Sequence, residues 1–254
     1  MIEQGPPEVR IIPLPVEGEI ETGSDLARLA LEAAKARGTT ILDSDVLVVT
    51  QKAVSKSEGR IVRLSEVDPS PIAQQWADRY GKDARQIETV LRESRRIVKM
   101  DRGIIIAETR HGFVCANAGV DASNVGPGVV SLLPVDPDAS AAALRDRVRE
   151  LSRAMPAVII TDTFGRAWRN GLTNVAIGVA GIEPLRSFAG QHDPYGYELR
   201  VTIVAIADEL ASAAELVMGK VDGVPFALVR GFAFDRAPGG AHALVRDPAE
   251  DLFR

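Results

Sequence analysis

Three short stretches hold the residues best suited to chemistry: "NAGVDASNVGPG" (117–128), "TDTFGRAWRNG" (161–171) and "MGKVDGVP" (218–225). Each carries a polar cluster from an apolar run into a glycine-containing loop. Asp121 and Asn124 stand three apart in the first, and Asp162 lies between Thr161 and Thr163 in the second. A hard divalent cation takes oxygen ligands, with carboxylates supplying charge and hydroxyls or waters filling the octahedron. Two strand-end aspartates from distant segments would make such a seat. Mg2+ held by one or two carboxylates usually bridges to phosphate oxygens. Arg166 and Arg169 would then meet anionic oxygens nearby, because the planar guanidinium forms paired hydrogen bonds. Lys52 and Lys56, four apart after an apolar run, fit a phosphate grip.

Every one of these residues also has a plainer reading. Asp121 suits an Asx-turn in "VDASN", the commoner fate of Asp in that context. Asp162 would cap a turn, Arg166 and Arg169 would be solvated charges, and Lys52 and Lys56 would flank an exposed turn. His111 reads as a structural hairpin-tip residue. His192, in the polar and aromatic "GQHDPYGYE", is more open to function. No GxxxxGK[ST] loop is present, and "GKVDG" is too short and lacks the Ser/Thr, so a P-loop is not supported. Types and spacing therefore reach a metal and phosphate enzyme, and no further.

The elements that must position these residues follow from periodicity. "GSDLARLALEAAKARG" predicts a helix with Ser24 as N-cap, Leu26, Leu29, Ala30 and Ala33 on one face, and Gly38 as its stop. "DVLVVTQ" predicts a strand buried on both faces. "GRIVRL" predicts an alternating one. A long helix is expected over 71–98, broken near Gly81, with Ile87, Val90, Leu91 and Ile97 on one side. "GIIIAETRHGFVCANAGV" reads as two strands turning at His111-Gly112. Ala141, Leu144, Val148, Leu151 and Met155 mark an amphipathic helix ended by Pro156.

"AVIITDT" reads as a strand ending at Thr161-Asp162-Thr163, with Gly165 letting the backbone turn toward a second strand, "NVAIGVAG". "YGYELRVTIVAIADEL" predicts a strand running into a helix, and "FALVRG" a last strand. Strands and helices intermingle without a βαβ rhythm, which predicts a mixed α/β (α+β) fold. No repeat or linker marks a boundary. The stretch from Arg236 onward is polar and loosely patterned and reads as a tail or a cut point.

Composition sets the outer limits. The chain has 254 residues, 46% of them hydrophobic, enough for one large core or two smaller ones. Thirty Lys and Arg against thirty-five Asp and Glu give a net charge of −5, against the usual balance of a nucleic-acid or anionic-membrane binder. The single cysteine, Cys115, rules out an intrachain disulfide and points to a reducing cytoplasm. "MIEQGPPEVR" lacks the basic and apolar regions of a signal peptide. No apolar run approaches the roughly 20 residues of a membrane helix. The expectation is a cytoplasmic protein without nucleic-acid or membrane partners.

Taken together, "DVLVVTQKAVSKSEGRIV", "NAGVDASNVGPG", "VIITDTFGRAWRNGLTNVAIGVAGI", "DPYGYEL" and "ELVMGKVDGVPFALVRG" resemble the coenzyme F-420-0:L-glutamate ligases, the gamma-glutamyl ligases of the deazaflavin coenzyme. They occur in that family's order and span nearly the whole chain; "NAGVDASN" with "ITDTFGR" is highly specific. The resemblance implies a homodimer with a gamma-glutamyl-ligase-type mixed fold, not a P-loop fold, over residues 1–245. Residues 246–254 would be a tail or the start of a linker. Some bacterial members are fused to a nitroreductase-type flavin domain, so a stand-alone ligase or the ligase half of a fusion is expected.

The resemblance further implies GTP and a divalent cation, Mg2+ or Mn2+, with a monovalent cation such as K+ as a further ion. The other substrates would be L-glutamate and the deazaflavin coenzyme F-420-0, activated as an acyl phosphate on its phospholactate carboxylate. Carried over, Asp121, Asp162 and Thr163 resemble metal ligands and Asn124 a nucleotide contact. Glu17, Gly18, Glu19 and Ile20 resemble, more loosely, the guanine-side segment. Gln51, Lys52 and Lys56 fall where the family contacts GTP. Met218, Gly219, Lys220, Val221, Asp222, Gly223, Val224 and Pro225 resemble its second nucleotide loop. Where this chain has Lys220, some members carry an acidic or amide metal ligand. An ammonium cannot ligate a cation, so a second metal would be held differently or Lys220 would meet phosphate. Lys52, Lys56, Arg166 and Arg169 would offset remaining charge in catalysis. A metal-dependent phosphohydrolase and a non-catalytic guanine-nucleotide-binding module are the competing readings.

Overall fold

The computed structural model describes residues 8–251. In chain order the strands and helices are β1 (Arg10–Leu14), α1 (Leu26–Ala36), β2 (Val46–Thr50), α2 (Gln51–Ser57), β3 (Ile61–Arg63), α3 (Pro71–Tyr80), α4 (Ala84–Glu93), β4 (Ser94–Asp101) and β5 (Ile104–Thr109). There follow β6 (Val114–Ala116), β7 (Val129–Ser131), α5 (Pro137–Ser152), β8 (Ala157–Arg166), β9 (Arg169–Ala180), β10 (Arg186–Ser187), β11 (Ile203–Val204), α6 (Ile206–Met218) and β12 (Phe226–Arg230).

A five-stranded sheet, ordered β1-β12-β2-β8-β9, forms the centre. Only β2 and β8 run parallel; every other pair in it is antiparallel. This is the mixed α/β fold expected. Val46–Val49 and Ala157–Ile160 are fully buried, as unbroken apolar runs require between covered faces. Between β2 and its parallel neighbour the chain builds a second, smaller core from Leu64, Ile87, Val90, Ile105, Val130 and Leu132, among others. That subdomain holds the sheet β4-β5-β6 and the ribbon β3-β7. The chain then returns along α5 into β8, so the segments carrying Lys52, Asp121 and Asp162 reach one end of the central sheet.

Several local expectations shift. Asp25, not Ser24, caps α1: its carboxylate accepts from the Arg28 N–H at 3.1 Å, while Ser24 closes the preceding turn on Glu21. The long helix over 71–98 is two short helices. Gly81, at φ +63°, ends α3 in the left-handed region where a side chain would be strained. Residues 94–98 are strand, not helix: alternation in "SRRIVKMD" pairs them with β5, and Ile97 still reaches the smaller core. Helix α5 stops at Ser152, before Pro156, with Arg153 in the left-handed region. Leu151 is therefore largely exposed.

The most consequential difference lies at β8. The strand does not end at Thr161-Asp162-Thr163, and Gly165 is not the turn. β8 runs on to Arg166 and folds back through Ala167 and Trp168, whose φ is +60°, into β9. A register shift beside Thr161 leaves Ile177 of β9 without a partner across the pair. Such a bulge re-aims the side chains next to it. The strand read in "YGYELRVTIVAIADEL" shrinks to Ile203–Val204. The stretch read as a tail from Arg236 packs down instead: Ala241 is buried, its N–H donates to Asp138 Oδ1 at 2.8 Å, and Leu244 and Val245 rest on the main core. No helix among the described residues is long and apolar enough to cross a membrane.

One buried ion pair ties the sheet together. Asp45, whose side chain is fully buried ahead of β2, accepts from Arg230 Nε and Nη2 of β12, both at 2.8 Å. Arg230→Ala would strand that carboxylate without a counter-charge, at a cost of about 3–5 kcal/mol. Denaturant unfolding should show this loss of stability, and an unchanged midpoint would refute it.

Candidate functional site

Asp121 and Asp162 come together at the end of the parallel pair. Asp121 lies in the connection from β6 to β7 and exchanges backbone hydrogen bonds with Ser131. Its Oδ1 accepts from the Ser123 N–H at 2.7 Å, so the Asx-turn read from the sequence is present. Its Oδ2 accepts from Ser123 Oγ at 3.0 Å and meets the Lys52 ammonium at 2.8 Å. Lys52 Nζ also donates to Ser123 Oγ at 2.5 Å. Burial works to raise the Asp121 carboxyl, but Lys52 and Ser123 outweigh it and hold the group below the usual carboxylate range.

Asp162 sits in the opposite state. Part of the residue is exposed, but its carboxyl is enclosed by protein on nearly every side. Burial pushes it up to about 6. The Thr163 N–H pulls the other way, the Asp121 carboxylate adds to the rise, and Lys52 and Lys220 oppose it. Two carboxylates near enough to feel each other, one of them desolvated, ask for a cation between them. Among the described residues no three acidic, histidine or cysteine side chains converge. Mg2+ or Mn2+ held by one or two carboxylates would be completed by water and phosphate oxygens rather than by a cage made of protein. The pair fits the implied ion, and Asp121 and Asp162 would hold it.

Thr163 faces elsewhere, as the next residue on a strand must. Its hydroxyl donates to Asn174 Oδ1 and accepts from Lys220 Nζ, both at 2.7 Å. Lys220 also pairs with Glu215, and Asn174 Nδ2 donates to Glu215 Oε2 at 2.8 Å. Asn174 and Glu215 were missed in the sequence. Asn174 stands opposite Thr163 only through the hairpin register, and Glu215 reaches it from α6.

The three segments expected around a nucleotide do converge. Val16, just before Glu17, donates from its N–H to the Gly223 carbonyl at 3.3 Å, and Thr50 does so to Pro225 at 3.0 Å. Asn124, at φ +57°, donates from Nδ2 to the Lys220 carbonyl at 3.4 Å. A cleft of about 230 Å³ is lined by Glu19, Ile20, Glu21, Lys56, Ile61 and Val125. Gln51 is buried and accepts from Ser55 Oγ, which leaves it holding α2 rather than facing the cleft. Met218 is buried beneath the loop, while Val221 is almost fully exposed. Gly219, at φ +60°, has Asp222 Oδ2 where a Cβ would stand, so a side chain there would push that carboxylate aside and strain the backbone.

Arg166 and Arg169 are not brought to the carboxylates. They face each other across the exposed tip of the β8–β9 hairpin, with Arg166 Nη2 on the Asn170 carbonyl at 2.8 Å. At about 3.3 Å per residue, Arg166 stands roughly 13 Å beyond Asp162. Cys115 lies near Asp162; burial, and then that carboxyl, push its thiol up to about 12, so it stays protonated. His111 Nε2 is within 3.0 Å of the Pro134 carbonyl, a structural position, and His192 bridges to Glu198 within its own loop.

A mixed α/β enzyme without a P-loop, in which Asp121 and Asp162 lie close beside the 218–225 loop, is the class this arrangement defines. The chain belongs to the F420-0:Gamma-glutamyl ligase family, whose model matches residues 16–231. It is 48% identical to the coenzyme F420:L-glutamate ligase of Methanopyrus kandleri, over 98% of this chain and 99% of that protein. The proteins of the same name from Methanothermobacter thermautotrophicus and Archaeoglobus fulgidus are 45% and 42% identical, over 92% and 97% of this chain and 94% and 97% of their own lengths.

The raised Asp162 group makes a prediction about stability. A carboxyl whose folded value lies above its unfolded one favours the fold fully below pH 3.8, and that advantage is lost as the pH climbs through about 6. At neutral pH the ionised group is therefore a net cost, and a rise from 3.8 to about 6 corresponds to about 3 kcal/mol. Asp162→Asn should stabilise the metal-free protein at pH 7.5, with the gain fading toward pH 4. Thermal unfolding in chelator across that range checks this; an Asn variant less stable at pH 7.5 would contradict it.

Proposed function

We propose that this chain is a GTP- and divalent-metal-dependent ligase that joins L-glutamate to the phospholactate carboxylate of coenzyme F-420-0, with further gamma-linked glutamates added in turn. The observation that carries the reading is the meeting of Lys52 with Asp121 beside a 218–225 segment tied to Val16, Thr50 and Asn124. The family and its similarly named relatives support the choice of substrates.

The chemistry suits the groups present. The acceptor carboxylate attacks the γ-phosphorus of GTP, its bond to the β-phosphate oxygen breaks, and GDP leaves. The glutamate amine then attacks the acyl carbon, inorganic phosphate departs, and the amine's proton is lost as the amide forms. Two anions must meet in the first step, so fixed positive charge lowers its barrier. Bound at Asp121 and Asp162, the divalent cation would draw off charge from the phosphate oxygens. Lys52 stands ready at Asp121, and Lys56 borders the cleft. No side-chain nucleophile is needed, in keeping with a protonated Cys115. Arg166 and Arg169 would serve the anionic acceptor along the hairpin, since a long substrate reacting at Asp162 extends past it. A homodimer is part of the same reading, because Leu172 on the hairpin and Tyr195, Tyr197 and Val201 on the following loop are largely exposed apolar groups.

Mass analysis after incubation with the deazaflavin precursor, GTP, Mn2+ and glutamate should show glutamylated product and stoichiometric GDP. Phosphate release that ignores glutamate would instead mark a phosphohydrolase, and bound GTP without turnover a binding module. Asp121→Asn keeps the shape but removes ligand charge, and should lower kcat/KM by roughly a hundredfold, the scale of a lost charge-assisted contact.

Hydrogen exchange gives a separate test of the nucleotide site. GTP with metal should protect residues 17–20, 51–56 and 218–225 together, and ATP should do so weakly. Protection of one segment alone, or equal protection by ATP, would count against a guanine site built from three loops.

A further inference from the structure

The Lys220 side chain is 56% exposed, and its ammonium rests on three protein oxygens. Its Nζ donates to Thr163 Oγ1 at 2.7 Å and to Asn174 Oδ1 at 3.3 Å, and it pairs with the Glu215 carboxylate. Three acceptors meet the three N–H bonds an ammonium has. No donor is left for a phosphate oxygen in this arrangement, so Lys220 acts through its charge alone.

The acceptors are also fixed to one another. Asn174 is only 2% exposed, takes the Thr163 hydroxyl proton at 2.7 Å, and holds Glu215 through Nδ2 at 2.8 Å. The Lys220 backbone is tied in turn by Asn124 Nδ2 on its carbonyl. An ordinary exposed Lys–Glu pair has no such buried amide behind it and contributes little. A hydroxyl, an amide oxygen and a carboxylate form a ligand set for a hard cation. This one stands a single residue along β8 from Asp162.

We propose that the Lys220 ammonium is a built-in cation, seated on oxygens that would otherwise suit a second metal ion, so that the site works with one divalent ion held by Asp121 and Asp162. Glu215 and Asn174 are its positioning residues. The inference rests on the metal seat of the proposed function, and ion counting separates the two.

Free Mn2+ measured by electron paramagnetic resonance, in the presence of a slowly hydrolysed GTP analogue, gives the number of ions per chain. One ion is expected for the wild type. Two are expected for Lys220→Asp, whose carboxylate would join Thr163, Asn174 and Glu215. Two ions in the wild type, or one in Lys220→Asp, would overturn the inference while leaving the metal seat intact. None in the wild type would overturn both. Lys220→Ala opens the oxygen seat and should lower the ligase rate by about tenfold or more. Added K+ or ammonium should restore much of that loss, whereas the wild type should respond alike to K+ and Na+. An alanine variant with an undiminished rate, or a loss that no small cation restores, would show that Lys220 is only a structural partner of Glu215.

Discussion

Burial of one carboxyl beside a second that is ion-paired sets the electrostatics of this end of the molecule. Asp121 and Asp162 arrive on different segments, and the protein treats them unequally. Asp121 is given an ammonium, a hydroxyl and a backbone N–H, and stays ionised. Asp162 is enclosed with little help and is left near 6. That imbalance is unfavourable for the protein alone, and a cation bound to both groups would relieve it. The backbone around them is correspondingly constrained, with Asn117, Ala118 and Asn124 all at positive φ in one short loop. Outlying conformations of this kind persist where surrounding packing enforces them, and Ala118 is indeed buried in the smaller core.

The sheet explains why the site is where it is. β2 and β8 are the one parallel pair in the central sheet, and their pairing ends with Thr50 opposite Thr161 at one end of it. Lys52 begins just after one and Asp162 just after the other. The smaller core, inserted between these two strands, then brings Asp121 to the same place. Loops rather than a glycine-rich strand–helix turn supply the surroundings. The Asp45–Arg230 pair keeps β12 beside β2, and β12 begins where the 218–225 segment ends.

Much of this was legible along the chain. The buried strands at 46–50, 157–160 and 226–230 are written as unbroken apolar runs, because a strand covered on both faces has no solvent side to mark. The amphipathic face of α5 and the hairpin at His111-Gly112 were equally plain. Helix ends were less so. Ser24 and Asp25 are both competent caps, and only the geometry of the turn before α1 chooses between them. Residues 94–98 carry a pattern compatible with either period, and the neighbouring strand β5 decided the matter.

The sequence by itself determined the residue types at the site and the order of the motifs, and the resemblance those motifs carry pointed to the family, because all of these are properties of residue identity along the chain. Tertiary structure decided which of those residues meet. Asp121 and Asp162 are forty-one positions apart, and only the inserted core closes that distance. Arg166 and Arg169 looked like neighbours of Asp162, yet β8 continues past it and carries them to an exposed tip. Thr163 adjoins Asp162 in sequence but turns to Asn174, Glu215 and Lys220, because successive side chains of a strand point to opposite faces. That alternation, together with the pairing of β8 with β9, separates two clusters that the linear text presents as one.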